Sequence, residues 1–322
     1  MKLQLLGRRL LSVALAGAAL AVMPAQAGSF SAVYVLGDSV SDSGNVGLAI
    51  GFPSGVPQMV SGNFYIPDYP YYPSGRFSNG PVWAEGYAAK LGVSALPSLR
   101  GGTDFAWAGA RTGGADVPVP TLTTQANLLL AALRGVAPPD ALYVVAEVGN
   151  DARDALAAIA SGKDASQAIR SASATYANNL GNIVDTLRRA GARHFLVFDN
   201  VNLGLVPAIK SQGTAASALA TALTSSMNQA LFDRLDDEAG VRMFDTFSFL
   251  TRVVRHPGDY GFVNATAACG AQAGADCSKY VFWDGLHPTA QMHELIATVA
   301  CRRQHGHGPV ACGGPAGLPL DE

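Results

Sequence analysis

The sequence predicts an α/β fold with a central parallel β-sheet. Short apolar runs rich in β-branched residues alternate with longer alanine-rich stretches of helical pattern, which is typical of strands joined by right-handed helical crossovers. The runs are largely hydrophobic, as expected for strands that are buried on both faces of the sheet. Small or polar residues follow three of the runs directly, and functional sites of open parallel sheets form just beyond the carboxyl ends of the strands.

Four runs are candidate strands, and helical patterns lie between them. The strand candidates are residues 32–36 (AVYVL), 141–148 (ALYVVAEV), 194–198 (HFLVF) and 241–247 (VRMFDTF). The main helical patterns cover residues 122–134, 151–160, 164–190 and 213–239. A further helix is predicted within SNGPVWAEGYAAKLG, where Pro81 suits the first turn.

The N-terminal segment has the pattern of a secretory signal peptide. Three basic residues precede an apolar stretch at 10–23, and small residues then complete an A-x-A cleavage site. We expect cleavage after Ala27 and a secreted or periplasmic protein. An uncleaved membrane anchor is the alternative, which the helix-breaking Pro24 and the cleavage site disfavour.

Residues 28–322 are predicted to form a single domain, with 303–322 as a flexible tail. Removing residues 1–27 leaves 295 residues and changes the formal charge from −2 to −5. This mildly acidic balance, without a basic patch, argues against nucleic acid as a partner. No second long apolar segment is present, so no transmembrane segment is expected in the mature chain. P-loop and dinucleotide-binding fingerprints are missing, so no cofactor is implied.

The four cysteines are expected to form disulfides, because the chain is predicted to be exported. Three pairings are possible. We favour the local pairs Cys269–Cys277 and Cys301–Cys312, each of which would close a Gly/Ala-rich loop. A metal site at Cys301 with His305 and His307 is the alternative, but the glycine-rich tail is read more simply as flexible, so no metal is predicted.

Residues 51–80 are predicted to be a long irregular loop. Proline, glycine and tyrosine dominate this stretch. A tyrosine-rich loop of this length can form a lid or a wall of a substrate site. A surface loop that packs its own aromatic side chains is an equally good interpretation.

Ser39 stands at the end of the first predicted strand, in SAVYVLGDSVSDSGN (31–45). Glycine and small polar residues of this kind are also what a tight turn requires. The functional interpretation is a nucleophile held where a buried strand ends and a helix begins. Catalytic partner residues elsewhere in the chain are needed to distinguish a nucleophile from a simple tight turn.

His287 is the histidine best placed to act as a base. It lies in FWDGLHPTAQ, three residues after Asp284. Across a short turn, this spacing lets the carboxylate accept a hydrogen bond from imidazole Nδ1–H and leaves the other ring nitrogen free, as serine hydrolysis requires. An aspartate that caps a helix beside a surface histidine is the structural alternative.

Two further residues could stabilise an oxyanion. Asn150, in EVGNDA, follows a glycine at a predicted strand end, from which its side-chain amide could point at a developing negative charge. As a lone feature, such an asparagine is more often a turn residue or a helix cap. Gly109, in GGTDFAWAGARTGG, allows close backbone approach, so its N–H could be a further donor.

Together these stretches resemble the SGNH (GDSL-type) hydrolase family. The blocks GDSVSDSGN, GRFSNGPVWAE, DFAWAGARTG, VGNDA and WDGLHPT occur in the family's order and span about residues 30–300. The usual α/β-hydrolase motif G-x-S-x-G is absent, which disfavours that other serine-hydrolase fold. No alternating ten-residue strands follow the last block, so we expect a free bacterial member and not a surface-displayed autotransporter.

The resemblance implies a flavodoxin-like three-layer α/β/α fold and hydrolysis of esters. It assigns Ser39 as nucleophile, His287 as general acid/base and Asp284 as the residue that orients it. The implied oxyanion hole consists of the N–H groups of Ser39 and Gly109 with the side chain of Asn150. Two residues depart from the family pattern, Val40 for leucine and Ala108 for a glycine, and the second puts the local turn geometry in question.

The expected activity is that of a secreted esterase or lipase acting on a small-molecule or lipid ester. A carbohydrate O-acetylesterase and a phospholipase would share the same catalytic centre. A serine peptidase or thioesterase shares the triad. The alternative from another class is a non-catalytic binding protein that uses the cleft to hold a carbohydrate or lipid, against which the intact Ser39, Asp284 and His287 argue.

Overall fold

A parallel sheet of four strands forms the centre of the protein, in a computed structural model that describes residues 30–51, 62, 65–67, 70, 75–114, 118–305 and 312–313. The strands are β1 (Val33–Gly37), β2 (Leu142–Ala146), β3 (His194–Phe198) and β4 (Val241–Phe244), and they neighbour one another in that order. All three pairings are parallel. The four predicted strands are therefore present, although the second and the fourth end earlier than predicted.

The segment at residues 103–107 lies along the other edge of β1. Val35 N–H donates to the carbonyl of Thr103 (3.0 Å), and Phe105 N–H donates back to the carbonyl of Val35 (2.8 Å). Trp107 N–H then donates to the carbonyl of Gly37 (3.1 Å). With this segment counted as the second strand in chain order, the sheet has the order 2-1-3-4-5 of flavodoxin-like folds.

Helices connect the strands. They are α1 (Asn45–Ala49), α2 (Trp83–Lys90), α3 (Leu122–Ala132), α4 (Asn150–Ala160), α5 (Ala165–Arg189), α6 (Pro207–Lys210), α7 (Thr214–Leu235), α8 (Thr246–Arg255) and α9 (Ala290–His305). The four main helical patterns correspond to α3, α4, α5 and α7. The prediction for Pro81 was wrong: Val82 is the N-cap of α2, so Pro81 lies just before the helix.

Helices cover both faces of the sheet, as two residues of β3 show. The Phe195 ring lies under the guanidinium of Arg188 in α5, whereas the Phe198 ring stacks on Trp83 of α2 at 4.4 Å. Residues three apart in a strand point to opposite faces. Helix α5 therefore packs on one face with α7, and α2 packs on the other with α9. This confirms the predicted three-layer α/β/α fold.

A second, two-stranded parallel sheet leads into the C-terminal part of the site. It consists of β5 (Asn264–Ala268) and β6 (Tyr280–Phe282). The disulfide Cys269–Cys277 closes the loop between the two strands, and Cys301–Cys312 ties α9 to the chain that follows it. Both predicted pairings are confirmed. Cys301 therefore offers no thiolate to a metal ion.

Three predictions fall wholly or largely outside the described residues. They concern the signal peptide at 1–27, the loop at 51–80 and the tail at 303–322. Within the described ranges, none of the helices combines the length and the apolar character that crossing a membrane requires.

Candidate active site

Ser39 lies in a tight turn that begins where β1 ends. Asp38, just before it, is buried and accepts hydrogen bonds from Val40 N–H (2.9 Å) and from Val148 N–H (3.0 Å), so its carboxyl joins the turn to the end of β2. Burial raises the pKa of Asp38 to about 6, although these two hydrogen bonds oppose the shift. Gly37 is required here, because a Cβ would lie 2.8 Å from the Ser41 side chain.

The structure brings Ser39 together with Asp284 and His287. The Ser39 hydroxyl lies 2.8 Å from His287 Nε2, and His287 Nδ1 lies 2.7 Å from Asp284 Oδ2. An ionised carboxylate only accepts hydrogen bonds, so Nδ1–H is the donor and Nε2 accepts from the serine. The imidazole is thus held in the tautomer in which Nε2 can take a proton.

The turn after β6 holds Asp284 in place. Its Oδ1 accepts the backbone N–H groups of Leu286 (2.6 Å) and His287 (2.7 Å), while its Oδ2 faces the imidazole. Asp284 is fully buried. It is not the cap of α9, since that helix begins at Ala290 and the Thr289 hydroxyl accepts Met292 N–H. The carboxylate therefore serves the histidine and its own turn.

Gly109 lies in the loop that follows the edge segment 103–107. Its φ is +80°, a conformation that favours glycine, whereas the neighbouring Ala108 does not have a positive φ. The alanine at 108 is therefore compatible with the turn. Asp42 joins this loop to the turn of Ser39, because its Oδ2 accepts Ala108 N–H (3.0 Å) while its Oδ1 accepts Gly44 N–H (2.8 Å).

The site has two further backbone donors. The N–H groups of Ser39 and Gly109 make no hydrogen bond within the part of the chain that the structure describes. Ser39 is buried and Gly109 is half-buried, and buried backbone N–H groups are otherwise almost always paired. These two groups are therefore available to a ligand.

Asn150 is the first residue of α4, directly beyond β2. Its Nδ2 donates to the carbonyl of Ala110 (2.9 Å), which anchors the amide beside the Gly109 loop. The second Nδ2 hydrogen is then free for another acceptor. Asn150 and Ser39 line the same pocket. The five residues predicted for the site thus converge from four separate stretches of chain.

The family comparison decides what kind of protein carries this arrangement. The sequence model of the family described as GDSL-like Lipase/Acylhydrolase matches residues 33–299, most of the chain. The chain belongs to this family. It is a carboxylic ester hydrolase, and the predicted resemblance to SGNH/GDSL hydrolases is confirmed.

Individual relatives of this GDSL hydrolase come from plants and bacteria. A GDSL esterase/lipase of Arabidopsis thaliana is 26% identical over 83% of this chain and 87% of its own length. The thermolabile hemolysin of Vibrio parahaemolyticus is 25% identical over 82% of this chain and 62% of its own. Among solved structures, the extracellular lipase of Streptomyces rimosus is 17% identical, with a TM-score of 0.42, over 82% of this chain and 95% of that one.

Glu147 is a further residue of the GDSL hydrolase's site that was not predicted from the sequence. This residue is fully buried just beyond β2, and its Oε1 accepts the N–H groups of Gly149 (3.1 Å), Asn150 and Asp151 (3.2 Å). Its Oε2 has no hydrogen-bond partner among the described residues. Burial, followed by the nearby Asp151 and Asp38 carboxylates, raises the pKa of Glu147 well above its usual value.

Other histidines of the GDSL hydrolase have structural surroundings. His194 is exposed at the start of β3, where its ring lies 5.5 Å from Phe30. His293 is buried in α9, and its Nδ1 accepts Trp83 N–H at 3.1 Å. Burial lowers the pKa of His293 to about 3, so the ring stays neutral.

Proposed function

We propose that the protein is a serine esterase in which Ser39 is the nucleophile, His287 the general acid/base and Asp284 the residue that orients and stabilises the imidazole. The supporting observation is the continuous hydrogen-bonded chain from Ser39 through His287 to the buried Asp284. This arrangement meets the geometric requirement for a nucleophile, a base within hydrogen-bond reach and a third group that fixes the base.

The proposed reaction is a two-step acyl transfer. His287 Nε2 takes the hydroxyl proton as Ser39 Oγ attacks the ester carbonyl carbon, and the carbonyl oxygen becomes an oxyanion. When the intermediate collapses, the alkoxide leaves with the proton from His287, and the acyl group remains on Ser39. Water then attacks the acyl-enzyme with the same proton transfers and releases the acid.

The proposed oxyanion hole consists of three donors. They are the N–H groups of Ser39 and Gly109, which have no partner among the described residues, and the second Nδ2 hydrogen of Asn150. Donors that are fixed before the reaction need no reorganisation when the charge develops, which makes them effective in a site that excludes water.

Export is part of the proposal. The signal-peptide pattern at residues 1–27 and the two disulfides are both typical of proteins that fold in an oxidising compartment. An exported protein whose N-terminal residue is Gly28 would support this localisation. Retention of residues 1–27 in the exported protein would contradict it.

The test of the proposed function is hydrolysis of p-nitrophenyl esters, from acetyl to palmitoyl, by the chain lacking residues 1–27. We expect activity that falls by at least 10³-fold in Ser39→Ala. Ser43→Ala, in the same loop, is the matched control and should keep the wild-type rate. A fluorophosphonate should label the wild type and the control but not Ser39→Ala.

A folded wild-type protein without activity on any of these esters or on an acetylated sugar would support the non-catalytic binding protein. Activity that persists in Ser39→Ala would place the nucleophile elsewhere.

A further inference from the structure

An apolar pocket extends into the protein from Ser39 and Asn150. Its outer part is lined by side chains that are only half-buried, among them Val40, Val201 and Leu286. Farther from solvent it is lined by buried residues from the helices and strands around it: Trp83 of α2, Phe198 of β3, Leu250 of α8, Val281 of β6 and Ile296 of α9. The pocket therefore opens at the proposed nucleophile and lies within the core.

The pocket wall offers almost no hydrogen bonds to a ligand. Apart from Ser39 and Asn150, its side chains with polar groups are those of Asp38, Thr246 and Trp83, whose indole N–H donates to Ser41 Oγ (3.1 Å). The Asp38 carboxyl accepts two backbone N–H groups, and the Thr246 hydroxyl donates to Asp199. A sugar would lose hydrogen bonds to water without replacing them here, whereas an alkyl chain would lose none.

We infer that this pocket holds the acyl chain of the substrate, and that the substrate class is esters of unbranched aliphatic acids longer than acetate. The inference rests on the proposed function, because the carbonyl carbon attacked by Ser39 is bonded directly to the acyl chain. A chain attached to that carbon begins next to Ser39, at the opening of the pocket. Each further buried methylene then strengthens binding until the pocket is full.

The first test changes the pocket without touching the triad. Leu250→Ala enlarges the pocket, Leu250→Phe shortens it, and Leu187→Ala, a buried leucine of α5 outside the pocket, is the matched control. The readout is the ratio of kcat/KM for each p-nitrophenyl ester to that for the acetyl ester. We expect Leu250→Ala to move the optimum to longer chains and Leu250→Phe to lower the octanoyl-to-acetyl ratio at least tenfold. The control should leave the profile unchanged.

The second test needs no catalysis. In Ser39→Ala, a brominated long-chain fatty acid should quench the fluorescence of Trp83, which lines the pocket. Additional Trp83→Phe substitution should remove most of this quenching. Quenching that is unaffected by that substitution would show that the fatty acid binds elsewhere.

The outcomes separate the two proposals. Loss of Ser39-dependent hydrolysis of every ester would refute the proposed function. Ser39-dependent hydrolysis with an acetyl optimum, or a chain-length profile that both Leu250 variants leave unchanged, would refute the acyl pocket alone.

Discussion

Glu147 accepts the backbone N–H of Asn150 through the same side-chain oxygen that accepts the N–H groups of the residues on either side. One buried carboxyl oxygen thus satisfies three donors where α4 begins. Because the donors of a helix N-terminus otherwise lack partners within the helix, Glu147 fixes the orientation of the turn that carries Asn150. Glu147 is a positioning residue for the proposed oxyanion hole.

Glu147→Leu should lower kcat at least tenfold and change KM little. The substitution leaves buried N–H groups without an acceptor, which destabilises the turn by about 1–3 kcal/mol. Glu147→Gln should stay within threefold of wild type, because a glutamine oxygen can accept the same N–H groups. Steady-state kinetics and thermal unfolding of both variants test this. If Gln were as damaging as Leu, acceptance of these hydrogen bonds would not be the role of Glu147.

Asn150→Ala should lower kcat by about 10²–10³, the usual effect of removing one oxyanion donor. Its KM should change much less, because the hydrogen bond forms with charge that develops only in the transition state. Kinetics with a p-nitrophenyl ester measure both constants, and circular dichroism confirms that the variant is folded. A rate within threefold of wild type would remove Asn150 from the oxyanion hole.

The gain in stability that Asp199→Asn gives over wild type should be larger at pH 8 than at pH 5. Burial raises the pKa of Asp199 to about 7 against the hydrogen bonds that Thr246 and Phe247 donate to it. The folded state therefore holds a proton that the unfolded chain has released between about pH 4 and 7. Wild-type stability falls as pH rises through this window, by roughly 4 kcal/mol at most, and the loss is complete above it.

Asparagine at this position does not ionise, and its Oδ1 can accept the same hydrogen bonds. Urea unfolding at pH 5 and pH 8 measures the difference, with the exposed Asp233→Asn as the control. An equal difference in stability between wild type and Asp199→Asn at both pH values would refute this account.

Replacing Cys269 and Cys277 by serine should lower stability by about 2–3 kcal/mol, as loop-closure entropy predicts for a loop of this size. Activity should fall as well, because Gly270 N–H donates to the carbonyl of Trp283 (2.9 Å), directly before Asp284. Guanidinium unfolding and ester hydrolysis of the double variant check both effects. The Cys301→Ser/Cys312→Ser protein is the comparison, and it should lose stability with less effect on rate. Equal loss of rate in both would show that the first disulfide has no particular role at the site.

Local sequence was sufficient for the strands and for the pairing of Asp284 with His287. The strands are largely apolar runs, and a spacing of three residues across one turn determines the carboxylate–imidazole contact. The parallel-sheet argument placed Ser39 and Asn150 at the same edge of the sheet, whereas the place of Gly109 beside them was implied only by the family resemblance. Their separation in space depends on the sheet order, which no single stretch encodes.

There is a physical reason why the edge segment 103–107 and Glu147 could not be predicted from the sequence. Asp104 interrupts the apolar pattern of the segment, and its buried carboxyl accepts the N–H groups of Ser43 (2.8 Å) and Ala106 (2.9 Å). Glu147 stands within a hydrophobic run and is also satisfied by backbone N–H groups. Backbone donors are present at nearly every position, so a buried carboxyl that uses them leaves no signature in the sequence.

The hydrogen bond between Ser39 and His287 joins residues that are 248 positions apart. At synthesis rates of about 5–20 residues per second, the serine leaves the ribosome roughly 10–50 s before its base. Under the proposed mechanism, the nascent chain has no esterase activity throughout that interval, although β1 and the turn of Ser39 are already made. Under the same mechanism, activity begins only when the segment that carries Asp284 and His287 docks against the turn of Ser39.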